Sequence, residues 1–455
     1  MGGVIPIAPA GDFGAPGLPM SAQLPASIAL FMLLLFGLRT AGTTSARYVV
    51  FACWVRFMLS SYHVYTFKHV IGPISGTAIG SAGLFVLGFL LLPKRLLLSK
   101  VLLPIYLVLA TIGISTLANH VILSAFEPIT KYGLVIVLAM HSYLALRNGD
   151  PKKFVLSLLV SFAPLLVFQI LSIIFHVPKA TESDGSASYI GGYYHEAAFS
   201  IALIALLIVI ALTKSIPRWI KVVIIPLIMV SIILANYRTA ILGAVPLLIY
   251  YVLYGLSRPV DRRVRGLLVI LAGVGVVVVG GIALMTLSRF KDLQVVLQNG
   301  TALIKPPNEF GTADRELLSG RFQIWSEYLY MWKDAPQLKH LVGFGPESWE
   351  QYFNLYAHDS FVDYLFEYGI LGVTALVVMF GAGLVVALRA KQDRWKLVAA
   401  HLSFIVLNLA TMPLWLIEGN IVFGLLWGYT LYYSRGGKTV TVKAQPRPQL
   451  KAVSI

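Results

Sequence analysis

The sequence holds one cysteine, Cys53, set in an apolar run. An internal disulfide is therefore excluded, as is any zinc-type cysteine cluster. Charge is also scarce: 12% of the residues are Asp, Glu, Lys or Arg, where a soluble chain carries about 25%. Acids are the scarcer sign, 20 against 36 Lys and Arg. The opening MGGVIPIAPAGDFGAPGLPM has no Lys or Arg and so lacks the basic start of a signal peptide. Its Gly and Pro suggest a loose arm. No internal repeat is evident, which disfavours transporters built from inverted repeats. Polar helix faces, which a soluble double domain would need, are missing from most apolar runs.

What is present is apolar. Hydrophobic residues make up 58% of the 455, and runs of about 20 recur from end to end, the length that crosses a hydrocarbon core. The fold class expected is an all-α polytopic membrane protein of about 12–14 helices. The net charge of +16 suggests nucleic acid until its placement is considered. Lys and Arg gather in alternate short gaps: Arg39/Arg47, Lys94/Arg95/Lys100, Arg147/Lys152/Lys153, Lys214/Arg218/Lys221, Arg258/Arg262/Arg263/Arg265, Arg389/Lys391/Arg394/Lys396 and the tail from Arg435. The gaps between are nearly free of them. This is the positive-inside pattern of a membrane protein, and nucleic acid is not an expected partner.

Spans are expected near 24–40, 48–67, 70–93, 99–119, 128–146, 153–176, 196–213, 219–236, 238–256, 265–287, 362–388, 396–413 and 419–434. The chain then divides into a flexible N-terminal arm (1–23), ten spans (24–287), a long external segment (288–361), the C-terminal spans (362–434) and a basic cytoplasmic tail (435–455). Basic gaps are cytoplasmic and too short for a catalytic domain. The external segment far exceeds an ordinary connection, so chemistry is expected on the outer face.

The densest polar cluster lies where that segment meets a span, AHDSFVDYLFEYGILG from Ala357 to Gly372. Ser360 and Asp363 have the spacing of a capping box, with the helix starting at Phe361 and His358 and Asp359 just outside it. A helix N-terminus favours an anion. Asp359, Asp363 and Glu367, spaced by four, share one helix face. Acids on the lipid side of a span are costly, so this face should meet a watery cavity or basic partners, Arg238 or Arg321. Arg238, in ANYRTAILGA, opens an outer helix against the charge pattern and needs an anionic partner or ligand unless it snorkels to headgroups. YIGGYYHEAAFS brings Tyr194, His195 and Glu196 to the start of another outer helix, where a cap or a His–Glu pair is the plainer reading. Arg321 follows the turn-like Ser319–Gly320. Glu347 or Ser348 opens a short helix in LVGFGPESWEQY. Trp325, Tyr328, Tyr330 and Trp332 suit a membrane–water boundary and also the faces of sugars.

HDSFVDYLFEYGILG resembles the signature of the O-antigen ligase and polymerase superfamily: a His, a small polar residue, nine residues, Gly, two residues, then Gly, Thr or Tyr. Here these are His358, Asp359, Gly369 and Gly372. Asp359 departs from the usual Asn, Ser or Gln. YRTAILG at Arg238 resembles the family's SRTA element, and GRFQIW…GFGPESW, around Arg321, the element preceding the His motif. The resemblance covers roughly 190–375. It implies a type-C glycosyltransferase-like fold, an undecaprenyl-diphosphate-linked glycan as donor, a glycan or lipid A-core acceptor, membrane lipids around a multi-pass protein of the bacterial inner membrane, and glycosyl transfer on its periplasmic side.

The expected function is therefore an inverting, metal-independent O-antigen or exopolysaccharide repeat-unit polymerase, with a chain-length regulator as a possible partner. The alternative is an O-antigen ligase attaching the glycan to lipid A-core. A flippase or transporter of lipid-linked sugars is the third reading, disfavoured by apolar inner halves of the spans. His358, Arg238 and Arg321 are the expected catalytic residues. The arginines would meet the charge of a diphosphate leaving group, and His358 would position or deprotonate the acceptor hydroxyl, or hold the diphosphate as imidazolium. Asp359, Asp363, Glu367, Tyr194, His195, Glu196 and Glu347 are the expected substrate-binding set. No cofactor is expected and no Asp-x-Asp metal motif occurs outside.

Overall fold

A computed structural model describes residues 15–71, 74–180, 187–252, 303–311, 314 and 317–436. The expected span 265–287, the basic gap Arg258–Arg265, the arm 1–14 and the tail beyond 436 lie outside the described residues. The described chain is almost entirely helical. Its helices are α1 (Met20–Thr40), α2 (Thr44–Ser61), α3 (His63–Thr66), α4 (Gly76–Leu91), α5 (Leu103–Asn119), α6 (Phe126–Asn148), α7 (Pro151–Ser161), α8 (Ala163–Ile174), α9 (Glu196–Leu212), α10 (Arg218–Leu234), α11 (Arg238–Tyr250), α12 (Arg321–Lys333), α13 (Gln337–Val342), α14 (Trp349–Tyr352), α15 (Ser360–Leu388), α16 (Arg394–Asn408) and α17 (Ile417–Ser434). Five helical stretches among the described residues are long and apolar enough to cross a membrane: Met20–Thr40, Lys100–Asn119, Ile122–Asn148, Pro151–Ile174 and Ser360–Leu388. Four shorter apolar helices accompany them. The chain is an all-α polytopic membrane protein.

The bundle centres on α6, α9 and α17, which are buried along most of their length. Small residues let α17 lie directly on α6. A Cβ added to Gly428 would meet the Ser142 Cβ at 2.6 Å and the Ala139 carbonyl at 2.7 Å. Close backbone approach of this kind is how helices associate in lipid, where apolar side chains gain little from leaving the tails. A buried ion pair ties α2 to α17: Arg56 lies 3.6 Å from Glu418, which also accepts a 2.6 Å bond from Ser60. Cys53, one turn earlier, is fully buried.

The basic ends gather at one face of the bundle. Arg147 and Arg435 both donate to the Tyr143 hydroxyl, at 2.9 and 2.7 Å. Lys214 and Lys396 both pair with Asp393, at 2.8 and 2.9 Å. The aromatic-rich segment that precedes α15, expected to be external, packs at the other end of α15, where Ile324, Tyr328, Ala357, Phe366 and Met412 form a second small core.

Three boundaries differ from the sequence expectation. The expected spans 48–67 and 70–93 are shorter, because α2 stops at Ser61 and residues 69–71 and 74–75 form an antiparallel strand pair. Ser75 then caps α4, accepting from the Ala78 N–H at 3.2 Å. The expected span 153–176 is two helices meeting at Phe162. Pro164 has no N–H for the carbonyl one turn back, so a continuous helix would leave that group unpaired. The cap of α15 is Asp359 rather than Ser360: its Oδ1 accepts from the Phe361 and Val362 N–H groups at 2.7 and 2.9 Å. Ser360 is already helical, and its hydroxyl donates to Asn408 Oδ1 on α16 at 2.7 Å.

Candidate active site

The site grows out of a break in α15. At Gly369 the backbone leaves the helical region, with φ +65°. A side chain there is excluded twice over. The left-handed region is costly for L-residues, and a Cβ would fall 2.4 Å from the Leu341 carbonyl. The break releases the carbonyls of Phe366 and Glu367, and the external segment takes them: Phe344 N–H donates to Phe366 and Gly345 N–H to Glu367, both at 2.9 Å. Ser115 Oγ adds a 2.8 Å bond to Glu367 O. Gly372 completes the break, since a Cβ there would lie 2.3 Å from the Tyr368 Cβ. Gly369 thus docks the preceding segment against a short first piece of α15, and Gly372 gives room to Tyr368 and the Tyr364 carbonyl of that piece.

That piece holds His358 at its mouth. His358 adopts φ +54°, in the left-handed region, which turns the chain into the Asp359 cap. Its ring sits 4.0 Å from the Tyr356 ring, which stacks on Trp415 at 5.2 Å. The Trp325 indole donates to Ala357 O at 2.8 Å and pins the preceding backbone. Among the described residues no hydrogen bond engages the His358 ring nitrogens. Burial, reinforced by the positive charge of Arg321 and by His195, pushes the imidazole down to about 3. It is therefore neutral at physiological pH. Asp359 is pushed up to about 6 by burial, against the pull of its two backbone donors and of Arg321.

Arg321 opens α12 and places both terminal guanidinium nitrogens 3.5 Å from the Thr239 hydroxyl. Thr239 is buried and follows Arg238 at the start of α11. His195 caps α9, its Nδ1 accepting from the Ala197 N–H at 3.0 Å, so its proton sits on Nε2. His195 at the start of α9 and Arg321 at the start of α12 thus lie within electrostatic reach of His358 at the start of α15, and Arg321 also touches the start of α11 through Thr239.

The expected binding set divides. Asp359 lies with Arg321. Asp363 and Glu367 instead interact with Glu347 and with Lys131 of α6. The expectation that the acid face of α15 turns to Arg238 or Arg321 therefore holds for Asp359 alone. Lys131 pairs with Glu127 at 2.6 Å and lies over the Trp415 ring at 4.9 Å. Glu347, at φ +56°, accepts from the indoles of Trp349 and Trp415, each at 3.3 Å, and burial pushes its carboxyl up. Glu196 pairs with Lys179 at 2.9 Å, and Tyr194 packs on His63 and Phe67, each at 5.6 Å. Lys131, Lys179, Tyr356 and Trp415 escaped the sequence analysis. A lysine within an apolar run was the available signal for Lys131.

Among the described residues no cluster of His, Cys, Asp or Glu could hold a metal ion. A family model described as O-antigen ligase matches residues 222–377. Over these residues the chain is similar to the O-antigen ligase/polymerase superfamily. No curated protein matches the chain. The O-antigen ligase match begins within α10 and ends after the break in α15, so Arg238, Arg321, Glu347, His358 and both motif glycines fall inside it. His195 and Lys131, contributed by α9 and α6, fall outside it. The matching family implies a membrane enzyme and lipid-linked glycan substrates in general.

Proposed function

We propose that this protein is a glycosyltransferase of the periplasmic face of the bacterial inner membrane, moving a glycan from undecaprenyl diphosphate to an acceptor sugar. The observation that carries the proposal is a neutral His358 facing Arg321, with Arg321 resting on Thr239 beside Arg238. A lipid diphosphate would lie against Arg238 and Arg321, at the outer end of α11, with its sugar towards His358. The acceptor hydroxyl gives its proton to an imidazole nitrogen of His358, and its oxygen attacks the anomeric carbon. The bond from that carbon to the phosphate oxygen breaks, and the electron pair leaves on the lipid diphosphate. Configuration at the carbon inverts. The arginines stabilise charge that grows on the leaving group in the transition state.

The neutral imidazole supports the base over the phosphate ligand. A neutral ring has an unprotonated nitrogen to accept a proton, whereas holding the diphosphate as imidazolium would need the charged form. The bound diphosphate would also offset the charge of Arg321 and raise the imidazole towards the range of an effective base.

Extension of one lipid-linked glycan by another, as in a repeat-unit polymerase, is the reading we favour, with a chain-length regulator as partner. Transfer to lipid A-core is the second, favoured by the description of the matching family as O-antigen ligase. The test incubates purified protein with a lipid-linked repeat unit, alone or with lipid A-core. A ladder from the donor alone supports the polymerase. A product only with lipid A-core supports the ligase. Transport without a new glycosidic bond overturns both.

A further inference from the structure

We infer that the external segment carries a second saccharide site, apart from His358, which holds a neutral or amino-sugar stretch of the glycan; this rests on the proposed glycan transfer. The site is a cleft of about 550 Å³, within the range of roughly 300–1,000 Å³ common for small-ligand sites. One wall is a single face of α12, since Glu327, Tyr330 and Asp334 follow one another at helical spacing. The facing wall is Tyr352 and Phe353 at the end of α14. Pro306, Pro307 and Asn308 close a third side.

The chemistry matches a sugar. A pyranose alternates apolar C–H faces with a rim of hydroxyls. Tyr330, Tyr352 and Phe353 offer ring faces, while Glu327, Asp334 and Asn308 offer acceptors and an amide at the rim. The walls are fixed beforehand, which lowers the cost of binding. Phe353 stacks on Tyr328 at 3.9 Å, Tyr352 lies edge-on to Phe344 at 5.5 Å, and Gln323 holds Glu327 at 2.9 Å. Among the described residues the lining has two carboxylates and no Lys or Arg; the Lys333 ammonium lies 5.4 Å over the Tyr330 ring. This balance repels acidic sugars and admits neutral or amine-bearing ones.

The cleft opens on the same outer end as the candidate active site and is joined to it. Tyr328, beneath Phe353, donates to Leu355 O at 2.9 Å, and the next residue, Tyr356, abuts the His358 ring. His358 lies five positions after Phe353, a stretch of at most about 18 Å. A glycan of a few sugars can therefore touch both places at once.

The test uses full-length protein in detergent and oligosaccharides of four to eight sugars, released by mild acid from the polysaccharide of the source cell. Binding is followed by saturation-transfer NMR and by titration. The inference predicts binding to the wild type, at least about tenfold weaker binding in Tyr352→Ala and in Tyr330→Ala, and binding within about twofold of wild type in Tyr352→Phe, which keeps the ring face. Tyr352 is 48% exposed, so its loss leaves the fold intact, checked by thermal unfolding. No binding to the wild type, or equal binding in both alanine variants, overturns the cleft. Binding is read apart from transfer, so a negative result in the separate transfer assay would sink the proposed function and leave the saccharide site standing, whereas lost binding with intact transfer would overturn the cleft alone.

Discussion

Arg321 rests both arms of its guanidinium on the hydroxyl of Thr239, 3.5 Å away, at the buried start of α11. A long contact to a neutral hydroxyl leaves most of the donor capacity of an arginine unspent, which suits a fork waiting for phosphate. Arg321→Lys keeps the charge but not the planar fork. It is expected to lose at least about tenfold in kcat/KM, and Arg321→Ala about 10²–10³-fold. Unchanged transfer by Arg321→Lys would mean that only charge matters here.

The break in α15 is the second target. Gly369→Ala forces an L-residue into φ +65° and against the Leu341 carbonyl, and should cost about 2–4 kcal/mol. Gly381→Ala, in the same helix, meets nothing within 4 Å and should be neutral or slightly stabilising. Thermal unfolding in detergent measures both. Equal unfolding temperatures for the two variants would show that the external segment does not depend on the break.

pH separates His358 from Asp359. With the imidazole down at about 3, His358 contributes no limb to kcat/KM between pH 5 and 8. With the carboxyl up at about 6, Asp359 takes a proton as pH falls through that value and loses the charge that faces Arg321. An acid limb near pH 6 is expected, and Asp359→Asn should abolish it. For stability the sign is reversed. Ionising a carboxyl whose pKa is raised from 3.8 to about 6 costs the fold, so this contribution declines as pH rises through that window. A limb near pH 6 that persists in Asp359→Asn assigns it elsewhere.

Among the described residues Lys131 is the one cation that interacts with Asp363, Glu367 and Glu347, and it is 5% exposed. Lys131→Met strands those carboxylates and should destabilise by about 3–5 kcal/mol. Adding Glu347→Gln should restore part of the loss, a coupling that a double-mutant cycle reads directly. Additive effects of the two substitutions would mean that they do not interact.

The helical architecture was legible in the sequence because lipid permits few alternatives: apolar length and alternating Lys and Arg suffice to place spans. The misplacements have local causes. Pro164 divides one expected span, and the strand pair of residues 69–71 and 74–75 takes the start of the expected span 70–93. Asp359 displaced Ser360 as cap because the Ser360 hydroxyl found Asn408, 48 residues away. In the site, His358, Arg238 and Arg321 could be singled out because their charge or position broke the pattern. Lys131 and Trp415 could not be assigned, since their meaning comes from α6 and the start of α17 meeting the external segment. Helix spacing suggested one face for Asp359, Asp363 and Glu367, but Asp359 is the cap outside the helix and has Arg321 as its cation, while Asp363 and Glu367 have Lys131.

The central claim is that His358 and the arginines beside it transfer a glycan from a lipid diphosphate. The most direct measurement is formation of a glycosidic bond by purified protein from an undecaprenyl-diphosphate-linked repeat unit, comparing wild type with His358→Ala and Arg238→Ala. The account predicts product from the wild type and a loss of at least about 10²-fold in each variant, with unchanged thermal unfolding. Full glycan transfer by either variant would contradict it.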